Sequence, residues 1–207
     1  QLKAASQFVS FLPEADAWQL KNLTVGLSQK EHSCVQLAAK NLLVDFEKVT
    51  GQKASLSEGA AEVLVGTVGC NPQIDQWVKS GKLVDLKGSR EKFLITTIDG
   101  QIVIAGSDRR GTVYGIYELS RQIGVSPWYD WADVPIEHHD LIYIKNGTYT
   151  DGEPAVRWRG LFLNDEAPCL TSWVKNTFGT NYGDHRFYAR VFEIILRLKG
   201  NMLWPAM

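Results

Sequence analysis

Two short stretches decide how the chain reads, Arg157-Trp-Arg-Gly-Leu-Phe-Leu163 and Asn201-Met-Leu-Trp204. Each is an apolar strand in a compact package of turn residues. The first stops at Asn164-Asp165-Glu166. Between them, Asp184 opens a predicted helix that carries Phe187, Tyr188, Val191, Ile194, Ile195 and Leu198 at three- and four-residue steps, with Gly200 as its stop. Residues 165–184 show little periodicity and read as a long loop. Strand, loop, helix, strand is a βαβ unit, the repeat of a parallel sheet or barrel. Strands of that kind are apolar on both sides because both faces are covered. One such unit cannot close a (β/α)8 barrel, which takes about 250 residues. The chain therefore reads as the N-terminal part of a longer protein.

In a barrel the chemistry sits on loops that follow the C-terminal ends of strands. Asn164, Asp165 and Glu166 occupy that place, and a loop as long as 165–184 exceeds a simple connector. Side chains alternate along a strand, so Asp165 and Glu166 point apart and at most one faces a substrate. The competing reading is a polar residue that solvates the strand end.

Upstream, the chain changes character near residue 128, since Trp128, Trp131, Trp158, Trp173 and Trp204 all lie beyond that point. The part before it alternates strand and helix. Ser28-Gln-Lys-Glu31 has the capping-box pattern, and Val35, Ala38, Ala39, Leu42, Leu43 and Phe46 follow at helical spacing to Gly51, predicting a helix over 29–49. Residues 62–67 are a β-branched strand. Phe93–Ile98 and Gln101–Ala105, separated by Asp99-Gly100, form a hairpin, because Asp and Gly tolerate the positive φ of a two-residue turn. A helix follows from Asp108, with Val113, Ile116, Tyr117 and Ile123 on one face and Gly124 at its end. The fold class expected is α/β: a mixed-sheet α/β domain over 1–150, then the first βαβ unit of a (β/α)8 barrel over 151–207.

Composition excludes several functions. With 22 basic and 23 acidic side chains the net charge is −1, which leaves no field to gather nucleic acid. No apolar run is long enough to span a bilayer. Gly106-Ser-Asp-Arg-Arg-Gly111 has P-loop glycine spacing, but Thr112-Val113 stand where Lys and Ser or Thr would, so it reads as a structural turn before a capped helix. Cys34, Cys70 and Cys169 make no CxxC pair and are expected to be buried as small hydrophobes. His138-His139 point apart in an extended segment, which argues against a metal site. No cofactor or metal is expected.

Longer motifs carry a resemblance. Gly106-Ser-Asp-Arg-Arg-Gly-Thr-Val-Tyr-Gly-Ile-Tyr-Glu-Leu-Ser120, Gly124-Val-Ser-Pro-Trp-Tyr129 and Trp131-Ala-Asp-Val-Pro135 are followed by Arg159-Gly-Leu-Phe-Leu-Asn-Asp-Glu-Ala-Pro168 and by Phe187-Tyr188 through Met207. In that order they resemble glycoside hydrolase family 115, strongly over 100–207 and weakly before. The resemblance implies a bacterial α-glucuronidase that removes glucuronic acid or its 4-O-methyl ether from xylan-type polysaccharides by inversion. It also implies an N-terminal α/β domain, a barrel and further domains, a secreted or periplasmic location, and allows a homodimer of the full-length protein. Its partner is glucuronidated xylan or an oligosaccharide from it.

By motif, Asp165 matches an active-site aspartate of the family, the catalytic candidate here, while Asn164, Glu166 and Trp204 are the substrate-binding candidates. Inversion needs an acid and a base about 6.5–9.5 Å apart, a separation that adjacent carboxylates do not suit. The general acid is therefore expected on later strands, and residues 1–207 alone are expected to be inactive. Trp204 is either a sugar platform or core packing. His185 reads as an exposed helix-start residue, Arg157 and Arg159 as structural ion-pair partners, and Trp128 and Trp131 as domain-interface packing. The alternative to an enzyme is a non-catalytic carbohydrate-binding or adaptor α/β domain.

Overall fold

The computed structural model describes residues 6–164, 167–180 and 183–205, and its contacts divide the chain into two compact units, 1–155 and 156–207. Asp165 and Glu166 lie outside the described residues.

The first unit runs β1 (Val9–Ser10), β2 (Ala17–Leu20), β3 (Thr24–Leu27), α1 (Ser33–Thr50), β4 (Ser55–Ser57), β5 (Val63–Thr67), α2 (Pro72–Lys79), β6 (Phe93–Ile98), β7 (Gln101–Gly106), α3 (Arg109–Gln122), β8 (Ile142–Lys145) and β9 (Thr148–Tyr149). Its main sheet has the order β4-β3-β5-β7-β6-β9. The first four strands are parallel, and β6 runs antiparallel to both β7 and β9. This is the mixed α/β architecture that the alternation of strands and helices predicts.

Alternation along the strands explains the layers. Val63, Val65, Ile102 and Ile104 point to one face and Val103 and Ala105 to the other, and all six are fully buried. The helix α3 comes close to the first face because Gly115 lets Ile104 and Phe93 approach, where a Cβ would sit 2.7 Å from Ile104 Cγ2. On the same side α1 packs beside α3, and Asn41 Nδ2 donates to Tyr117 Oη at 2.9 Å. The opposite face is covered by α2, whose Ile74 and Trp77 join Leu94, Ile98, Val103 and Ala105.

The hairpin forms as expected, with Asp99 and Gly100 at φ 51° and 80°. The helix before it does not begin where the capping-box pattern puts it. Ser28–Glu31 instead forms a turn, with Glu31 N–H donating to Ser28 O at 3.1 Å, and α1 starts at Ser33. The reason is tertiary: the Glu31 carboxylate accepts the Thr67 N–H from the end of β5 at 2.7 Å and is not available to cap the helix. A second sheet, β1-β8-β2, is wholly antiparallel and did not stand out in the sequence. The aromatic change at residue 128 falls inside this unit, because β8 and β9 pair with strands from earlier in the chain.

The second unit contains β10 (Gly160–Leu163), α4 (Cys169–Phe178), α5 (His185–Arg197) and β11 (Met202–Pro205). The strands β10 and β11 pair in parallel as a separate two-stranded sheet, which is the βαβ connection expected. The stretch read as a loop holds a ten-residue helix, α4, whose inward side carries Leu170, Val174 and Phe178 at four-residue steps, with Val174 buried. On these strands Phe162 and Trp204 are 63% and 64% exposed within the 207 residues. Among the described residues, no helix is long and apolar enough to cross a membrane.

Candidate functional site

The site candidates stand at the C-terminal ends of β10 and β11, so their position depends on what fixes the register of those strands. Asn201 sets it from the opposite end. Its Oδ1 accepts the Arg159 N–H at 3.0 Å and its Nδ2 donates to Arg157 O at 2.8 Å. Arg159 O accepts the N–H groups of Asn201 and Met202 at 2.7 and 3.1 Å. The Arg159 guanidinium binds carbonyls, with Nε donating to Lys199 O at 3.0 Å and Nη1 to Val156 O at 2.7 Å. Arg157 and Arg159 thus precede the strand rather than alternating along it, and Arg159 acts by binding backbone carbonyls. A side chain at Gly160 would collide with Met202 O, so glycine is needed for this close approach.

The resulting register pairs Phe162 with Trp204 and Leu163 with Pro205. Phe162 and Trp204 share one face, with ring centroids 6.3 Å apart at 80°. Leu161 and Leu203, on the other face, are half-buried. Trp204 is 64% exposed and lies on the same face as Phe162. Asn164 follows directly after β10 and is exposed. The structure brings Asn164 and Trp204 to the ends of adjacent strands.

Behind the strand ends, α5 is capped by Asp184, whose Oδ1 accepts the Arg186 N–H at 2.7 Å and Arg186 Nε at 3.0 Å. Those bonds, the guanidinium first, hold the Asp184 carboxyl down to about 2. Arg186 Nη2 also reaches Phe178 O at 3.0 Å, tying the end of α4 to the start of α5. Trp173, Phe178 and Phe187 form an edge-to-face cluster with centroids 5.9–6.4 Å apart. This cluster was missed in the sequence because Trp173 and Phe178 sit in the stretch read as a loop. His185 is exposed, as expected, with its Nδ1 3.9 Å from Asp184.

The other sequence candidates are structural or simply exposed. Asp108 caps α3 and also accepts the Glu91 N–H at 2.8 Å, while Gly106 and Gly111 are required by contacts with Thr112 and Lys92; the P-loop-like segment is a packed turn. The cysteines depart from expectation: Cys34 and Cys70 are half-buried and Cys169 is exposed. Cys70 Sγ lies 3.6 Å from His32 Nε2, and burial first, then Glu31 and Asp75, push its thiol pKa up. His139 stacks on Phe11 at 3.6 Å, whereas His138 bonds Asp140 at 3.0 Å. Trp128 is 43% exposed.

Residues 151–207, the segment that builds this strand-end geometry, match glycosyl hydrolase family 115. The fold of nearly the whole chain agrees with a solved family 115 4-O-methyl-α-glucuronidase with specificity for decorated arabinogalactans, at TM-score 0.81 and 33% identity over 92% of this chain. The chain belongs to glycoside hydrolase family 115. It spans about 26% of the length of that glucuronidase. More distant likenesses show the fold alone. A β-hexosaminidase of Streptomyces plicatus aligns over 93% of this family 115 chain and 32% of its own, at TM-score 0.56 and 14% identity. A chitobiase of Flavobacterium johnsoniae aligns over 96% and 26%, at TM-score 0.55 and 17% identity. None of the curated proteins matches the chain.

Proposed function

We propose that this chain is the N-terminal part of an inverting α-glucuronidase that removes glucuronic acid or its 4-O-methyl ether from a plant-type polysaccharide. The observation that carries the reading is the 33% identity, across 92% of the chain, to a 4-O-methyl-α-glucuronidase. In this reading the second unit is the opening of a (β/α)8 barrel. Asp165 then orients water or binds sugar hydroxyls, Asn164 and Glu166 hydrogen-bond the substrate, and Trp204 stacks on a pyranose ring. The carboxylate that protonates the leaving oxygen comes from barrel strands beyond these residues. A polymeric substrate is met outside the cytoplasm, so the protein is secreted or periplasmic.

Two polysaccharides compete as substrate. The resemblance to the family points to glucuronidated xylan, and the specificity of the solved relative favours decorated arabinogalactan. The test is release of glucuronic acid from both, using a polypeptide that carries these residues together with a complete barrel, and using residues 1–207 alone. The longer protein releases the uronic acid and residues 1–207 do not. Asp165→Asn in the longer protein removes most turnover and leaves the melting temperature unchanged. Full activity in that variant, or turnover by residues 1–207, refutes the assignment.

A further inference from the structure

A cleft of about 340 Å³ opens in the first unit, where the C-terminal ends of β3 and β4 meet the first turns of α1. This is the carboxyl end of the parallel strands, the side on which open α/β sheets bind ligands. Its floor is aliphatic, formed by Leu27 and by Leu56, which is 41% exposed. Its walls are Ser28, Gln29, Gln36 and Glu58, and none of the seven lining residues carries a positive charge.

The polar groups are held in place before any ligand arrives. Gln36 Nε2 donates to Glu31 O at 2.9 Å, and Gln29 Nε2 donates to Glu58 Oε1 at 2.7 Å. A carbonyl and a carboxylate only accept, so both amides have their oxygens turned away from those partners. Gln29 Oε1, Gln36 Oε1 and Glu58 Oε2 remain as acceptors, and the Ser28 hydroxyl, which accepts the Lys30 N–H at 3.2 Å, keeps its proton to donate. An acceptor-rich wall above an aliphatic floor fits a ligand with many hydroxyl donors and an apolar C–H face. The Glu58 charge, with no cation in the lining, disfavours a uronate.

We infer that this cleft is a second carbohydrate subsite, binding a neutral pyranose unit with its C–H face on Leu27 and Leu56 and its hydroxyls donating to Gln29, Gln36 and Glu58. The inference rests on the glycan-processing reading, but it concerns the neutral part of the polymer and not the uronic acid that is released.

The test is affinity electrophoresis of residues 1–207 in native gels containing xylan or arabinogalactan stripped of uronic acid. The wild type is retarded, in high salt as in low. Gln36→Ala weakens association about fivefold, the effect of one lost hydrogen bond. Leu56→Asp abolishes retardation at an exposed position that the fold tolerates. Glu58→Gln lets the glucuronidated polymer bind as well as the stripped one. Val84→Ala, at an exposed apolar position outside the cleft, leaves retardation unchanged. The proposal is overturned if the wild type is not retarded, if salt abolishes the effect, or if Gln36→Ala leaves it unchanged. Hydrolysis assays read a different bond, so loss of the glucuronidase reading and loss of this subsite are separately visible.

Discussion

In the first unit, strand side chains such as Val65, Ile95 and Ile104 are fully buried, whereas in the second the strand side chains Phe162 and Trp204 keep 63% and 64% of their surface. Both units are built from apolar strands joined by helices, so composition does not distinguish them. What differs is cover. The main sheet of the first unit has helices on both faces, with α3 and α2 on opposite sides. In β10 and β11 the residues opposite the Leu161–Leu203 face are presented. An apolar residue in the first setting contributes to stability, and in the second it is available for contact with another surface.

The contrast is broken or sharpened most strongly by truncating one aromatic residue in each unit. Phe46→Ala, at a fully buried position of α1, costs about 3–5 kcal/mol in denaturant unfolding. Phe162→Ala changes stability by no more than about 0.5 kcal/mol. Equal losses would show that the two settings are energetically alike. Next in size is Asn201→Ala, which removes the bonds to Arg159 N–H and Arg157 O and costs about 1–2 kcal/mol. Amide exchange accelerates across β10 and β11 and stays slow in β5 and β7; acceleration in all four strands would mean that the units unfold together.

The smallest effect concerns Glu62 in the first unit, where burial does not bring full satisfaction. Desolvation pushes its carboxyl pKa up, outweighing backbone N–H bonds from Lys21 and Thr24, and Oε2 is buried without a partner. The folded state holds this proton more tightly than the unfolded one. Stability from this group is therefore present in acid and lost as pH rises through the folded value, so its charged form is unfavourable at neutral pH. Glu62→Gln raises the melting temperature at neutral pH and leaves it unchanged in acid. A lower melting temperature at neutral pH would show that the carboxylate is stabilising after all.

Legibility followed the range of the interactions involved. The Asp99-Gly100 hairpin, the Asp108 and Asp184 caps and the parallel pairing of β10 with β11 depend on nearby residues or on a strong apolar pattern, and all formed as read. The small β1-β8-β2 sheet depends on pairing Val9 with Ile144 and Trp18 with the same residue, across most of the unit. A local clue existed in the alternation of buried Ile142 and Ile144 with Tyr143. At the candidate site, the sequence placed Asn164 and Trp204 at strand ends, and both are there; Asp165 and Glu166 lie outside the described residues. The cleft at Gln29, Gln36 and Glu58 had no sequence signal, since its walls come from three separated segments.

The sequence by itself determined the Asp99-Gly100 hairpin, the helices opened by Asp108 and Asp184 and the β10–β11 pair, because hydrophobic period, turn residues and caps act within a few positions of one another. It also carried the family, through motifs long enough to be distinctive. Tertiary structure decided where α1 begins, since the Glu31 carboxylate is held by an amide at the end of β5. It also decided that Phe46 is enclosed. Burial depends on which surfaces meet across the fold, and that information is distributed over segments distant in the chain.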